Sequence, residues 1–263
     1  MTIIQAVILG FIQGLTEFIP VSSSGHLALA QALMDFEQPG LLYDTLLHIA
    51  TLFAVLVYFR ARIGRIFLAF LGLFHHKYII HSYEQRPMIV GILLATIPTG
   101  ILGLLLKDHV EYFFERPVII GYFLIITSVM LFLSDRFNGM RKVNTRAALI
   151  VGIAQGGLAL FPGISRSGTT IFAGLLAGLS REQAAEFSFL ISIPAILGAL
   201  VLQLPDMQAI STDGLWAYII GMCVAFVSGF LAIGLMMRVV QRAKLSIFAL
   251  YCLFVGAAAV IWM

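Results

Sequence analysis

The sequence predicts an all-α integral membrane protein of six transmembrane helices and two re-entrant helical hairpins, arranged as an inverted-topology repeat. Three observations predict it: an apolar composition, apolar runs of membrane-spanning length, and two apolar stretches broken at matching places by proline, glycine and serine. Of 263 residues, 60% are hydrophobic and 11% charged, with a mean hydropathy of +1.01. Soluble domains carry roughly 25% charge, so a bilayer is the expected solvent. The apolar runs are about 17 to 23 residues long, the length that roughly 30 Å of hydrocarbon demands of a helix. The whole chain, 1–263, reads as a single membrane domain.

The first element, Ile3–Leu33, is long enough for two short helices, but the Pro20–Gly25 cluster interrupts it. Proline removes a backbone donor, and glycine and serine favour turns, so a continuous helix through the cluster is not expected. Arg60 is the first basic residue, so the N-terminus lacks the positive region of a secretory signal and is expected to stay in the mature fold. The spans Leu42–Phe59, Met88–Leu106 and Pro117–Leu133 follow. A second interrupted stretch, Ala147–Leu179, breaks between Pro162 and Gly168, and the spans Glu186–Leu204, Leu215–Met237 and Ser246–Met263 complete the chain. Cys223 and Cys252 lie inside apolar runs and read as buried small hydrophobes rather than a disulfide or metal framework.

Charge sets the orientation. Arg60–Pro87 holds Arg60, Arg62, Arg65, Lys77 and Arg86; Asp135–Arg146 and Arg238–Lys244 are basic too, whereas Lys107–Arg116 and Pro205–Gly214 are acid-rich. Basic connections face the cytoplasm. Both interrupted stretches then begin and end on one face, Ile3–Leu33 outside and Ala147–Leu179 inside, with both termini outside. Irregular backbone at membrane depth survives only when buried in protein or lining a wet cavity, so the two tips are expected to meet. The net charge of +3 is too small and scattered to point to nucleic acid.

The two stretches repeat each other: Gly10, Gln13, Gly14 and Pro20 recur as Gly152, Gln155, Gly156 and Pro162, and Asp44 recurs as Glu186. One residue inserted after the proline aligns Ser24-Gly25 with Ser167-Gly168. Each half, about 1–140 and 141–263, would hold one hairpin and three spans; an odd span count inverts one half relative to the other. The glycines suit close helix packing.

Chemistry concentrates at the tips. Gln13 and Glu17 share one face of an otherwise apolar helix, and a carboxylate at membrane depth is costly without a partner, which marks it as functional. Its counterpart is Ala159, so the acid belongs to one tip only. Ser22, Ser23, Ser24, Gly25 and His26 follow Pro20; His26, three residues past Ser23, is placed to accept its hydroxyl proton. The second tip, Pro162-Gly163-Ile164-Ser165-Arg166-Ser167-Gly168-Thr169-Thr170, sets a guanidinium and hydroxyls at a helix start, which is how an oxyanion is bound. Asp44, Glu186 and His48 are expected as supporting groups that hold the hairpins. His75, His76, His81 and His109 are expected on the surface.

At these tips the chain resembles the undecaprenyl-pyrophosphate phosphatase family, the bacitracin-resistance type of membrane phosphatase. Gln13 and Glu17 match its Glu-or-Gln, three residues, Glu element, followed by the run 20–26, and 162–168 match its Pro-Gly-x-Ser-Arg-Ser-Gly element. The resemblance implies hydrolysis of a polyprenyl diphosphate to the monophosphate for cell-wall lipid carrier recycling, in a bacterial inner membrane, with the site facing outward. It implies a divalent cation, magnesium or calcium, held by Glu17 and Gln13, and a possible homodimer. The expected catalytic set is Glu17, Ser23, His26 and Arg166, with Ser22, Ser165, Ser167 and Thr170 binding phosphate. Gln13 stands where some members have Glu, leaving one carboxylate fewer for the cation. The rival reading is a transporter or flippase of lipid phosphates, because broken helices meeting at mid-membrane also build transporters.

Overall fold

A computed structural model describes residues 1–34, 41–72, 79–114, 116–137, 139–203, 215–242 and 244–263. The expectations for His75, His76, Lys77 and the Pro205–Gly214 connection fall outside these residues, as do the side chains of His81 and His109. The described residues fold into helices: α1 (Ile3–Phe18), α2 (Ser23–Leu33), α3 (Leu41–Tyr58), α4 (Arg60–Leu71), α5 (Ile79–Phe114), α6 (Pro117–Ser134), α7 (Thr145–Gly157), α8 (Arg166–Leu176), α9 (Arg181–Gln203), α10 (Leu215–Arg242) and α11 (Ser246–Trp262). Among the described residues, four helices are long and apolar enough to cross a membrane: Tyr83–Leu106, Pro117–Ser134, Arg181–Leu202 and Leu215–Gln241. Tyr43–Tyr58 with Arg60–Leu71, bent by 79°, forms a fifth candidate. The protein is therefore a multi-pass helical membrane protein.

Two departures from the sequence expectation have clear causes. Arg60–Pro87, read as a connection, contains α4, an amphipathic helix whose Ile63 and Ile66 pack on the main core while Arg60 stays exposed. Hydrophobic spacing of three residues on one face supports a helix even among arginines. Cys223 is exposed rather than buried, and lines an apolar groove with Phe53, Met222 and Val227, because Gly221 and Ala225 take the buried face of α10 and position 223 turns away from it.

The two interrupted stretches are broken where expected, α1 from α2 and α7 from α8. A Thr2 capping box starts α1, and the Asn144 side chain caps α7. Small residues let each first helix approach a long neighbour. A Cβ on Gly152 would sit 2.5 Å from the Ala95 carbonyl oxygen of α5, and one on Gly156 would sit 2.7 Å from the Thr99 Cα. Gly10 and Gly14 press in the same way on the Gly221 and Ala225 backbone of α10. Helices α6 and α11 cross at Gly121 and Gly256. Beneath the breaks lies a core that includes Phe18, Phe189 and Phe59, with Phe18 edge-on to Phe189 at 5.7 Å.

Candidate active site

The tips meet through reciprocal hydrogen bonds. Ser22 caps α2 and Ser165 caps α8, each hydroxyl accepting from the glycine N–H three residues on, Gly25 and Gly168. Such caps satisfy donors that a helix start leaves orphaned. The Ser22 hydroxyl also accepts from the Gly163 N–H at 3.1 Å, and the Ser167 hydroxyl donates to the Ile19 carbonyl at 3.4 Å. Ser22 takes a φ of +72° for this, a left-handed conformation rare outside glycine and concentrated at functional sites. Gly163 has a φ of +98°, and its carbonyl accepts from Thr127 of α6, whose oxygen in turn accepts from the Ser165 N–H.

Four groups converge on the Glu17 carboxylate. Arg166 Nη2 donates to Oε1 at 2.5 Å, whereas Oε2 accepts from Ser23 Oγ at 2.6 Å and from Gln13 Nε2 at 3.1 Å. His48 Nε2 stands 3.7 Å from Oε2. His48 Nδ1 lies 2.7 Å from the Asp44 carbonyl oxygen, and Asp44 Oδ1 accepts from Gln31 Nε2 of α2 at 2.8 Å. Asp44 thus holds the first hairpin as expected of a supporting group. Glu186 instead binds Arg62, tying α4 to α9. Glu17 is 6% exposed; an isolated carboxylate so buried is prohibitively costly, and the arginine offsets that cost.

The expected bond from Ser23 to His26 is replaced by other partners. Ser23 donates to Glu17, and the His26 ring is held by the Ser22 carbonyl at Nδ1, 2.8 Å, and the Tyr251 hydroxyl at Nε2, 2.9 Å. A carbonyl only accepts, so Nδ1 carries a proton, and in the neutral ring Nε2 accepts from the phenol. The four hydroxyls expected to bind phosphate are buried and used within the fold. Ser22 and Ser165 cap helices, Ser167 lies 3.3 Å from Ser165 Oγ, and Thr170 bonds the Arg166 carbonyl and Ser188 Oγ. A cap hydroxyl points along its own helix start, which the spacing of serines alone does not reveal. Ser23, His26 and Arg166 remain partly exposed. Thr127, Ser188 and Tyr251 escaped the sequence reading, because a lone hydroxyl inside an apolar span carries no local signal.

Among the described residues no cluster of three or more His, Cys, Asp and Glu side chains suits a metal. The oxygen donors at Glu17 still fit a hard cation in kind. Among the described residues Gln13 Oε1, like Gln155 Oε1, is buried without a hydrogen-bond partner, an acceptor that a donor or cation would satisfy. Magnesium and calcium take carboxylate and amide oxygens and complete their shells with phosphate and water.

A buried acid–arginine pair beside a serine and a histidine, where two broken helices meet, makes this the candidate active site of a multi-pass helical protein. The family described as bacitracin resistance protein BacA matches residues 6–258. The chain belongs to that family. An undecaprenyl-diphosphatase of Methanosphaera stadtmanae is 41% identical over 98% of this chain and 97% of that protein. Those of Methanobrevibacter smithii and Syntrophotalea carbinolica are 42% and 44% identical, covering 97% of this chain and 96% and 97% of theirs.

Proposed function

We propose that the protein hydrolyses the terminal phosphate of undecaprenyl diphosphate, releasing inorganic phosphate and the lipid monophosphate. The observation that carries the chemistry is the convergence of Ser23, Arg166 and Gln13 on one buried carboxylate. The relatives named undecaprenyl-diphosphatase, alike over nearly the whole chain, supply the substrate. Nothing in either line of support favours the transporter reading.

The diphosphate draws Arg166 from Glu17 and takes its bidentate donation, with the α8 start adding N–H groups and dipole. Ser165 and Thr170 act by fixing that helix start. Glu17 Oε2, already accepting the Ser23 hydroxyl, takes its proton as Oγ attacks the terminal phosphorus and the bridging P–O bond breaks. His26 then activates the water that cleaves the phosphoserine, or activates water for a direct attack. A divalent cation, magnesium or calcium, held by Glu17 and Gln13, would neutralise diphosphate charge.

The remaining architecture belongs to the same reading. The α1–α2 and α7–α8 pairs are re-entrant hairpins, six spans surround them, and halves 1–140 and 141–263 are inverted repeats. Supporting this, Gly10 and Gly14 contact α10 as Gly152 and Gly156 contact α5, and both tips use the same serine cap. Both termini and the site face outward from the inner membrane, and a homodimer is compatible with the exposed apolar helix faces.

Phosphate release from undecaprenyl diphosphate by the purified protein in detergent tests the function. Release is expected with magnesium or calcium and not with chelator, and Glu17→Ala or Arg166→Ala is expected to lower it about a hundredfold or more. Full activity in either variant would refute the site.

A further inference from the structure

On helix α11, away from both sequence motifs, Tyr251 and Cys252 reach the first tip together. The Cys252 thiol lies 3.9 Å from the Pro20 carbonyl, and the Tyr251 hydroxyl lies 2.9 Å from His26 Nε2. The two rings also stack, with centroids 5.5 Å apart and planes 10° from parallel. Because the Ser22 carbonyl fixes the proton on Nδ1, the phenol proton has one imidazole lone pair to meet, and ring orientation is set from both ends. Successive helix positions diverge by about 100°, so contact by both 251 and 252 means that the tip lies across α11.

We propose that Tyr251 is a positioning residue for the reaction: its hydroxyl and ring hold His26 in one tautomer and orientation, and the hydroxyl yields Nε2 to water or a phosphate oxygen when substrate enters. This rests on the phosphatase reading above. Tyr251 is 45% exposed, so its hydroxyl can swing away without opening the core, whereas Cys252, fully buried, keeps the tip braced. His26 is thereby ordered before substrate arrives, and the ordering entropy is not charged to the chemical step.

The test combines ring-15N-histidine spectra of the full chain in detergent with kinetics on undecaprenyl diphosphate, using Tyr251→Phe, which keeps the stack and loses the hydroxyl. Signals are assigned by their loss in His26→Gln. The Nε2 signal of His26 is expected to move in Tyr251→Phe while Nδ1 stays. Turnover is expected to fall about fivefold, the worth of one ordinary hydrogen bond, with KM changed less than about twofold. In a His26→Gln background, adding Tyr251→Phe is expected to change nothing further. An unmoved Nε2 signal, or equal losses in both backgrounds, overturns the proposal while the enzyme stays active. Failure of the wild type to release phosphate overturns the phosphatase reading instead, and with it the catalytic part of this proposal.

Discussion

At the scale of single residues, the Glu17–Arg166 pair dominates. Its 2.5 Å contact joins two side chains that are 5% and 16% exposed, so the carboxylate has almost no solvent to fall back on and the guanidinium little. Removing one partner of such a pair strands the other, at about 3–5 kcal/mol. Removing both removes the charges together. Glu17→Gln and Arg166→Gln are therefore each expected to lower the detergent melting temperature by several degrees. The double variant is expected to recover most of the loss, and all three to lack phosphatase activity. Additive destabilisation in the double variant would mean that the pair is not the coupled unit described here. Both residues were legible in the sequence, because a charge inside an otherwise apolar stretch has few structural uses. The partner of Ser23 was not legible: Glu17 and His26 both lie within reach along the chain, and the turn at Ser22, with its φ of +72°, decides between them.

At the scale of elements, the breaks matter more than the helices. Gly163 and Gly178 both take positive φ, +98° and +88°, so an alanine at either is strained by about 1–3 kcal/mol. Their surroundings differ. A Cβ on Gly163 would meet the Ile120 carbonyl oxygen at 2.5 Å and Phe123 Cβ at 2.8 Å, whereas one on Gly178 would meet only the Arg141 side chain, at 3.5 Å and beyond. Gly163 also joins the first tip through Ser22 and helix α6 through Thr127. Gly163→Ala is thus expected to reduce both melting temperature and turnover, the latter at least about tenfold given the precision catalysis demands. Gly178→Ala is expected to reduce melting temperature alone. Equal activity losses in the two would place no special weight on the second tip. The positions of both breaks followed from proline, glycine and serine, whereas the use of the tip hydroxyls as caps and the help of Thr127 and Ser188 from other helices depend on tertiary contacts that no local pattern encodes.

At the scale of the whole molecule, the long apolar helices were legible because lipid imposes length and apolarity on a helix, and α4 was not, because Arg60, Arg62 and Arg65 make its start resemble a loop when hydropathy is averaged. Among the ties between distant segments is one at the end of α6. Asp135 Oδ1 accepts from the Leu245 N–H at 2.9 Å and from Arg181 Nη2 at 3.1 Å, and Oδ2 accepts from the Ser246 N–H at 3.0 Å. One carboxylate thereby fastens α6 to α9 and caps α11, where a negative charge also suits the helix dipole. Burial pushes this carboxyl up, but the Leu245 and Ser246 N–H groups and Arg181 outweigh it and hold it below its ordinary value. A carboxylate lowered by folding adds stability that is fully present above its unfolded value, about 3.9, and is lost as pH falls through the lower folded value. Asp135→Asn keeps the shape and removes the charge. Melting temperatures in detergent from pH 7 down to about 3 are expected to show the variant less stable than the wild type at neutral pH, with the gap narrowing once the wild-type carboxyl begins to protonate. A gap that stayed constant through the acid range would assign the tie to hydrogen-bond shape alone and not to charge.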